Sequence, residues 1–378
     1  MNIGIACYPT VGGSGAVATE LGKQLARRGH KVHFVSYRLP FRLDEVSANI
    51  TFHEVEVAAY SLFEHPPQDL ALAAKMAEVS REHHLDLLHV HYAIPFAVAG
   101  LLARQMLGAA APKLVTTLHG TDITLVGQDR SFFEITRFGI EGSDGVTAVS
   151  EFLRRMTLEE FDIKNPIEVI PNFIDLSTCR PSRAFRDRSA FASAQEKILL
   201  HVSNFRPVKR VVDVVRIFDR VLREVPSVLL MVGEGPERAS AQALARRLGI
   251  AERVKFLGRQ DHAEELAGLA DVFLLPSELE SFGLSALEAM ACEVPVVGSD
   301  QGGLPEVVHH AETGYLLPVG DIEGMAARTI ELLKDDGHRR ALGQAGRRRA
   351  VALFGADRIV SQYERYYERV LGSRPAAT

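Results

Sequence analysis

The sequence predicts two α/β domains, each built on an open parallel sheet that helices cover on both faces. Short apolar runs alternate with stretches of helical composition, a pattern typical of parallel strands joined by helical crossovers. The pattern restarts after an irregular segment near the middle of the chain, and a length of 378 residues suits two domains of ordinary size. Polar clusters follow the predicted strands, which is where open parallel sheets bind ligands.

The first half begins with a strand and then alternates. Its short apolar runs predict strands, and the longer stretches between them predict helices. The strands are expected at residues 2–7, 31–36, 86–90, 113–118, 144–149 and 168–172, and the helices at residues 16–28, 69–83 and 98–106.

The second half repeats this alternation. Its strands are expected at residues 197–202, 227–232, 254–257, 272–275 and 295–298, and its helices at residues 211–225, 237–248, 284–292 and 322–333. We interpret the halves as Rossmann-like domains at residues 1–172 and 195–355, joined by an irregular, Arg-rich segment at residues 175–194. A final amphipathic helix is predicted at residues 356–372.

Composition and charge limit the classes of function. A net charge of −5 gives no electrostatic reason to expect a nucleic-acid partner, which needs clustered basic residues on one face. Two Arg clusters, around residues 180–188 and 339–349, are expected to be solvated faces, with attraction to an anionic membrane surface as the alternative. Cys7, Cys179 and Cys292 lack C-x-x-C spacing, so we expect buried thiols in a reducing cytoplasm.

The start of the chain is predicted to be a strand, without the basic leader and apolar core of a signal peptide. No apolar run is expected to approach the ~18 residues that a membrane-spanning helix needs. These features together predict a soluble, cytoplasmic protein without stable membrane association.

Glu280 and Glu288 are the most informative residues of the chain. A predicted buried strand ends shortly before Glu280, and helix-forming composition begins at Leu284. Glu280 is therefore expected on the loop before a helix and Glu288 one to two turns inside it. The amides around Phe282, Gly283 and Leu284 lack intrahelical partners there and lie at the positive end of the helix dipole. This arrangement predicts a site for an anion flanked by hydroxyl groups.

The loop after the first strand of the second half carries Asn204, Arg206 and Lys209. A bidentate Arg and a point-charge Lys are suited to neutralise a departing diphosphate. A solvated loop is the alternative, and it is less favoured because the loop is predicted to open at a ligand-binding edge.

The run Gly12-Gly13-Ser14-Gly15 precedes a predicted helix and matches the Ala variant of the dinucleotide fingerprint. An NAD(P)-dependent oxidoreductase is therefore a rival interpretation. The second strand, however, ends without the acidic residue that holds the ribose of NAD, although Arg38 would suit a 2′-phosphate. The insertion at residues 8–11 also makes the first loop longer than a tight dinucleotide turn. We favour amides near Ser14 and Gly15 that meet a phosphate or carboxylate, with flexible glycines that cover a helix end as the other alternative.

Histidines follow two of the predicted strands, at His89, His91 and His119. No H-E-x-x-H motif, Cys/His ligand set or Asp-x-Asp sequence occurs, so no metal is expected. His119 stands next to a glycine at a strand end, where it is well placed to meet a substrate. The sequence also lacks the G-x-S-x-G motif of a serine hydrolase and the G-x-x-x-x-G-K motif of a P-loop kinase.

The spacing of Glu280 and Glu288 resembles the E-x7-E motif of retaining GT-B glycosyltransferases of family 4. Further motifs along nearly the whole chain resemble the N-acetylglucosaminyl L-malate synthases that begin bacillithiol biosynthesis. These motifs are CYPTVGGSG at 7–15, FRL at 41–43, HEVEV at 53–57, HYAIP at 91–95, TTLHGTDI at 116–123, HVSNFRPVKR at 201–210 and ESFGL at 280–284. Glu293 departs from that family, which has Gly there, and we expect a solvent-facing helix end with little consequence.

The resemblance implies a GT-B fold with two Rossmann-like domains facing across a central cleft, and a C-terminal helix that packs back on the first domain. It implies retaining, metal-independent transfer of N-acetylglucosamine from UDP-N-acetylglucosamine to the hydroxyl of L-malate, without a cofactor. The first domain would bind the acceptor and the second the donor.

The resemblance also assigns roles to residues. Most family 4 enzymes carry the motif G-R-x4-K on this loop. Lys209 matches the Lys of that motif, but Asn204 stands at the position of its Arg, and Arg206 lies two places later. The implied catalytic residues are His119, Arg206, Lys209 and Glu280. The implied donor contacts are Gly15, Asn204, Arg206, Lys209, Glu280, Phe282, Gly283, Leu284 and Glu288, and the implied acceptor contacts are Ser14, Gly15, Tyr92, Thr117 and His119.

Three alternatives remain beside this interpretation. A family 4 transferase for a sugar or lipid acceptor would share the donor residues, and a UDP-sugar epimerase would share the fold. A non-catalytic nucleotide-sugar-binding protein would be expected to have degraded loops. A homo-oligomer is left open.

Overall fold

The computed structural model describes residues 1–9, 12–44, 47–57, 65–126, 129–179 and 188–372. These residues form two compact units. Unit 1 is Met1–Asn172 together with the C-terminal segment from Asp357, and unit 2 is Phe173–Ala356. Each unit contains a parallel sheet with helical crossovers, so the predicted fold class is confirmed.

Unit 1 has a seven-stranded sheet in the order β3-β2-β1-β4-β5-β6-β7, and its described strands pair in parallel. Its elements are β1 Asn2–Ala6, α1 Gly13–Arg27, β2 Lys31–Ser36, β3 Ile50–Glu54, α2 Gln68–Glu82, β4 Leu87–His91, α3 Val98–Leu107, β5 Lys113–Leu118, α4 Phe133–Glu141, β6 Gly145–Ala148, α5 Glu151–Phe161 and β7 Ile167–Val169.

Unit 2 has a six-stranded sheet in the order β10-β9-β8-β11-β12-β13, also paired in parallel. Its elements are β8 Lys197–Val202, α6 Val211–Leu222, β9 Ser227–Val232, α7 Arg238–Arg247, β10 Val254–Gly258, α8 Ala263–Ala267, β11 Val272–Leu275, α9 Leu284–Ala291, β12 Val296–Ser299, α10 Leu304–Val307, β13 Gly314–Leu317, α11 Ile322–Lys334 and α12 Asp336–Phe354. The last helix, α13 Ala356–Gly372, returns the chain to unit 1.

The central strands are buried on both faces because helices cover each sheet. All five residues of β4 and all six of β9 are buried. In unit 1, Val90 and Leu114 pack with Phe96, and in unit 2 Leu229 packs with Phe218. The apolar runs that predicted strands are therefore the centres of these two cores.

Several elements were not predicted, and two of them lack the apolar signal on which the prediction depended. Strand β3 is an edge strand with only half-buried or exposed residues, and α12 is rich in Arg and has a weakly apolar face. The other missed elements are α4, α5, α8, α10 and β13.

The Arg cluster on α12 is only partly a solvated face, which corrects that expectation for Arg339, Arg347 and Arg349. Arg349 donates to the carbonyls of Val307 at 2.8 Å and Glu306 at 2.7 Å. Arg347 donates to the carbonyl of Ala291, and the side chain of Arg339 is only 13% exposed. The guanidinium groups of Arg347 and Arg349 satisfy carbonyls at the ends of α9 and α10, and that of Arg339 pairs with Asp271. Arg340 and Arg348 are exposed, Arg188 pairs with Asp271, and the remaining arginines of the earlier cluster lie outside the described residues.

One apolar helical run also corrects an expectation. Among the described residues, Ala93–Ala110, which contains α3, is long and apolar enough to cross a membrane by length and composition alone. Helix α3 packs against α2, and Ala99 and Ala103 are buried. A core helix can pass the same test, so this run is weak evidence for a membrane span.

Glu293 differs from the simple helix end that was expected. It follows α9 with φ +62°, a left-handed conformation that favours Gly. A non-glycine residue there costs roughly 1–2 kcal/mol, so this departure from the family pattern carries backbone strain. Cys7, Cys179 and Cys292 are free and buried, as predicted.

Candidate active site

Polar residues collect at one edge of each sheet. The strand order reverses between β1 and β4 in unit 1 and between β8 and β11 in unit 2. Open α/β sheets bind ligands at such a reversal, outside the carboxyl ends of the two neighbouring strands. Ser14 and Tyr92 follow β1 and β4, and Lys209 and Glu280 follow β8 and β11. The topology thus brings predicted site residues together within each unit.

Lys209 and Glu280 form an ion pair in unit 2. Lys209 Nζ lies 2.7 Å from Glu280 Oε1, and Ser277 Oγ donates to the same oxygen at 2.7 Å. The two charged side chains are 20% and 11% exposed. No described residue donates to the second carboxylate oxygen, Oε2. The carboxylate is therefore oriented through one oxygen and can accept hydrogen bonds from a ligand through the other.

Close packing of glycines fixes the backbone of the Glu280 loop. The amide of Gly303 donates to the carbonyl of Glu280 at 2.6 Å. Gly302 has φ +73°, and a Cβ atom at that position would lie 2.1 Å from the same carbonyl oxygen. Only glycine fits so close to this backbone. The segment after β12 therefore holds the Glu280 loop in place.

Helix α9 begins at Leu284 with Gly283 as its N-cap at φ +97°, so the predicted helix start is confirmed. Glu288 is its fifth residue, one turn inside as expected. Phe282 is 3% exposed and its ring packs against Phe354, which leaves its backbone rather than its side chain for ligand contact. The amides of the first turn lack intrahelical acceptors and suit an anion.

A buried histidine orients the loop after β8. His201 Nδ1 donates to the carbonyl of Leu274 at 2.9 Å, which leaves Nε2 to accept from Ser203 Oγ at 2.8 Å. Burial lowers the pKa of His201 to about 4, so its ring is neutral at pH 7. Further along the loop, Asn204 and Arg206 are exposed, and Arg206 has no ion-pair partner among the described residues. The guanidinium is free to meet an anionic ligand.

The glycine-rich run of unit 1 lies inside a helix rather than before one. Helix α1 begins at Gly13, three residues earlier than predicted, so Ser14 and Gly15 belong to its first turn. The amide of Ala16 donates to the carbonyl of Gly12 at 3.1 Å. The amides that precede Ala16 in the helix have no intrahelical acceptor and suit a phosphate or carboxylate.

Tyr92 and His119 are neighbours at the same edge of unit 1. Their ring centroids lie 5.4 Å apart, and Tyr92 has φ +95°, which is rare for a non-glycine residue. His119 Nε2 lies 2.8 Å from His91 Nδ1. Burial lowers the pKa of His119 to about 3 and that of His91 well below its usual range, so both rings are neutral at pH 7.

His91 determines which nitrogen of His119 carries the proton. His91 Nε2 is buried and has no hydrogen-bond partner in the described part of the chain. A buried N–H without an acceptor is less tolerable than an unpaired lone pair. We therefore place the proton of His91 on Nδ1, where it donates to His119 Nε2. His119 then carries its own proton on Nδ1.

Thr117 lies in the interior of unit 1. It is fully buried, and its Oγ1 lies 2.7 Å from His89 Nε2 and 2.7 Å from Thr147 Oγ1. His89 Nδ1 in turn lies 2.8 Å from the hydroxyl of Tyr367 on α13. The Thr117 hydroxyl is thus engaged in a buried network, and its contact with an acceptor stays a prediction.

Asp122 is a buried carboxylate that lies in the motif at residues 116–123 but was given no role by the sequence analysis. It is 1% exposed and accepts hydrogen bonds from the amides of Gly120 at 2.9 Å, Ala93 at 3.1 Å and His119 at 3.3 Å. Burial raises its pKa to about 6, although these amides act in the opposite direction. Asp122 therefore ties the segments after β4 and β5 together and positions Tyr92 and His119.

Comparison with known proteins agrees with this fold. The sequence model of the family "Glycosyl transferases group 1" matches residues 183–349. The sequence model of the family "Glycosyltransferase Family 4" matches residues 11–178. Sucrose-phosphate synthase from Thermosynechococcus elongatus superposes with a TM-score of 0.81 at 24% identity, covering 99% of this chain and 100% of that one. Anabaena HepE in complex with UDP and glucose superposes with a TM-score of 0.81 at 20% identity, covering 97% and 99%. The fold is GT-B, the class of two-domain nucleotide-sugar glycosyltransferases.

Sequence relatives narrow this class. The chain is 52% identical over 372 residues to N-acetyl-alpha-D-glucosaminyl L-malate synthase from Bacillus anthracis, covering 98% of this chain and 97% of that one. It is 30% identical to GDP-mannose-dependent alpha-(1-6)-phosphatidylinositol monomannoside mannosyltransferase from Mycolicibacterium smegmatis, covering 77% and 79%. The chain therefore belongs to the family 4 glycosyltransferases and is an enzyme of that family.

Proposed function

We propose that this glycosyltransferase transfers N-acetylglucosamine from UDP-N-acetylglucosamine to the hydroxyl of L-malate, the first step of bacillithiol biosynthesis. The observation that carries the proposal is 52% identity, over nearly the full length of both chains, to an enzyme named for that product. The cytoplasm is the proposed location.

The donor half of the reaction depends on charge at the diphosphate. Breaking the bond between sugar and phosphate leaves negative charge on the departing group, and preorganised positive groups stabilise it. Lys209 and the exposed Arg206 supply full charges, and the first-turn amides of α9 supply partial ones. We assign all three to the diphosphate.

The two carboxylates hold the rest of the donor. Glu280 Oε2 accepts from sugar hydroxyls while Lys209 and Ser277 keep Oε1 fixed. Glu288 accepts from the ribose hydroxyls from its place on α9. The malate hydroxyl attacks from the side of the leaving group, and an oxygen of the β-phosphate takes its proton. This route retains the anomeric configuration and needs no protein nucleophile.

Hydrogen-bond donors of unit 1 are proposed to bind the acceptor. L-Malate is a dianion, which favours the first-turn amides at Ser14 and Gly15 and the donors Tyr92 and His119 Nδ1–H over an apolar pocket. A missing carboxylate would leave such donors unpaired, at a cost of about 1–3 kcal/mol for each buried group. Activity is expected to fall steeply from L-malate to lactate.

The acceptor assignment is tested with purified protein and UDP-N-acetylglucosamine. L-Malate, D-malate, lactate, glucose and a polyprenyl phosphate are offered separately, UDP release is followed, and product mass and anomeric configuration are determined. Rapid transfer to a sugar or lipid with none to L-malate would overturn the malate assignment and favour the acceptor class of the mannosyltransferase relative. No UDP release with any acceptor would favour a nucleotide-sugar-binding protein.

Transfer is also proposed to need no divalent metal, because Lys209, Arg206 and the start of α9 already offer positive charge to the diphosphate. Turnover is expected to survive exhaustive EDTA treatment. Loss of turnover that only Mg²⁺ or Mn²⁺ restores would show that a metal neutralises the diphosphate instead.

A further inference from the structure

Three histidines meet at the edge of the unit 1 sheet, away from the strand ends that carry the candidate acceptor residues. His33 lies on β2, His53 on the edge strand β3, and His83 at the C-cap of α2. One ring nitrogen of each lies within 4.8 Å of the other two. We refer to these residues as the histidine triad.

The strand register explains the arrangement. His33 pairs with Thr51, and Val35 pairs with His53, so both histidine side chains emerge on the same face of the sheet. His33 Nδ1 lies 3.0 Å from His53 Nε2, and the rings of His33 and His83 stack with centroids 4.3 Å apart. Histidine spacing in the sequence does not reveal the triad because three separate elements supply it.

The geometry is close to that of three imidazole ligands on one metal. Zinc binds histidine nitrogen at about 2.0–2.1 Å, which places ligands of one tetrahedral ion about 3.3 Å apart. The His33–His53 separation of 3.0 Å is near this value, and the widest separation, below 4.8 Å, closes by modest rotation of the side chains. Binding would replace the hydrogen bond between these rings, with the proton moving to the other nitrogen of one ring.

The triad can be reached from the surface and lies near acidic residues of α2. His33 is buried while His53 and His83 are half-buried, so an ion has access from the surface. Burial lowers the pKa of His53, with His83 and Lys75 acting in the same direction and Glu78 and Glu82 on α2 against them. Glu82 is exposed and lies next to the triad in sequence, which makes it a candidate for the fourth ligand.

We propose that the histidine triad binds one divalent transition-metal ion, with Zn²⁺ as the preferred ion and Glu82 or water completing four-fold coordination. The ion ties edge strand β3 and the end of α2 to β2. It takes no part in sugar transfer, because none of its ligands lies on a segment assigned to the donor or the acceptor. The proposal is therefore independent of the proposed function.

The test uses full-length protein without a histidine tag, since a tag would bind the same ions. Bound zinc is measured by elemental analysis after equilibrium dialysis against a competing chelator. We expect one zinc per chain, a melting temperature that rises with free zinc, and visible absorption of four-coordinate Co²⁺ in the cobalt-loaded protein.

Two neighbouring histidines provide a matched pair of variants. His83→Asn removes a triad ligand and is expected to weaken zinc binding by more than about 100-fold, because even second-shell changes cost about 10–100-fold. His84→Asn is the control: His84 is exposed with φ +46°, a conformation that Asn tolerates, and binding should be unchanged. His53→Asn repeats the test from the strand side.

Circular dichroism of the metal-free proteins separates loss of a ligand from loss of the fold. The proposal is overturned if folded His83→Asn binds zinc as tightly as wild type, or if wild type retains less than half an equivalent. We expect zinc removal to leave turnover unchanged. The malate assignment is tested separately, by the acceptor assay.

Discussion

At the scale of single residues, the candidate donor site is organised before a substrate arrives. Lys209 and Ser277 both contact one oxygen of Glu280 at 2.7 Å, and the exposed Arg206 stands on the same loop as Lys209. A side chain fixed in advance stabilises a transition state without reorganisation during the reaction. The contribution of each charge can therefore be separated by substitution.

Lys209→Ala is expected to lower kcat by about 10²–10³, because negative charge on the diphosphate grows as the bond breaks. Steady-state kinetics measure this, with thermal melting to confirm folding. Lys197→Ala is the control, since Lys197 pairs with the half-exposed Asp336 on the surface of the same unit. An unchanged kcat with only a raised donor KM would mean that Lys209 binds ground state and transition state equally.

Glu288→Gln keeps the shape of the side chain and removes its charge. Wild type is expected to prefer UDP over 2′,3′-dideoxy-UDP by about 10–100-fold, because hydrogen bonds to a charged acceptor contribute about 1.5–3 kcal/mol. The preference should shrink in the variant, as measured by calorimetry, and remain in Glu293→Gln. An undiminished ratio in Glu288→Gln would exclude the ribose assignment.

At the scale of elements, loops from neighbouring strands fix one another. Glycines after β12 hold the loop after β11, and the Asp122 carboxylate joins the segments after β4 and β5. Through these contacts, a segment that follows one strand fixes the position of a site residue that follows the adjacent strand. Disturbing the glycine contact should change activity without altering a charged side chain.

Gly302→Ala tests the contact with the Glu280 loop. The new Cβ would lie 2.1 Å from the Glu280 carbonyl, so we expect displaced backbone and a loss of kcat/KM. Gly249→Ala is the matched control, because Gly249 has φ +74° with nothing within 4 Å of an added Cβ. Both variants should lose roughly 1–2 kcal/mol of stability from the positive φ. Equal kinetic effects would refute a specific role for the close contact.

The buried Asp122 predicts a pH-dependent stability. Its folded pKa of about 6 lies above the ordinary value of 3.8. The folded state therefore holds the proton more tightly, and the stability it contributes is complete below about pH 4 and lost as pH rises through 6. The unfolding free energy of wild type relative to Asp122→Asn should fall by up to about 3 kcal/mol across this window. Urea unfolding between pH 4 and 7 measures this, and a difference that rises with pH would show that the amide hydrogen bonds outweigh burial.

At the scale of the whole molecule, unit 1 is assembled from both ends of the chain. Helix α13 buries Tyr363 and Tyr367 in unit 1, and the Tyr367 hydroxyl lies 2.8 Å from His89 Nδ1. Arg28 adds a hydrogen bond to Glu364 at 2.6 Å. The last helix therefore completes the core of the unit that begins the chain.

Removing residues after 355 should destabilise unit 1 while unit 2 stays folded, because the truncation exposes the core under α13. Limited proteolysis with mass spectrometry is expected to cleave unit 1 first. A chain that ends at residue 372 serves as the control. Proteolysis that proceeds equally in both units would argue against this assembly.

Tyr367→Phe in the full chain should lower the free energy of unfolding by about 1–3 kcal/mol, since it leaves His89 Nδ1 without its buried partner.

The sequence by itself determined the fold class, the central strands of both sheets and the positions of Glu280 and Glu288 around the start of α9. These features depend on local signals: apolar runs, helix-forming composition and the positive φ that Gly283 allows. The family motifs are equally local, since they lie on loops that follow strands.

Only the tertiary structure decided which of these residues meet. The pairing of Lys209 with Glu280 and Ser277 depends on β8 lying beside β11, and the His91–His119 contact depends on β4 lying beside β5. Arg349 of α12 donates a hydrogen bond to a backbone carbonyl because α10, distant in sequence, packs beside it. Thr117 is part of a buried hydrogen-bond network because Thr147 of the neighbouring strand packs against it. The type of a side chain limits the interactions that it can make. The order of the strands in the sheet determines which neighbour it meets.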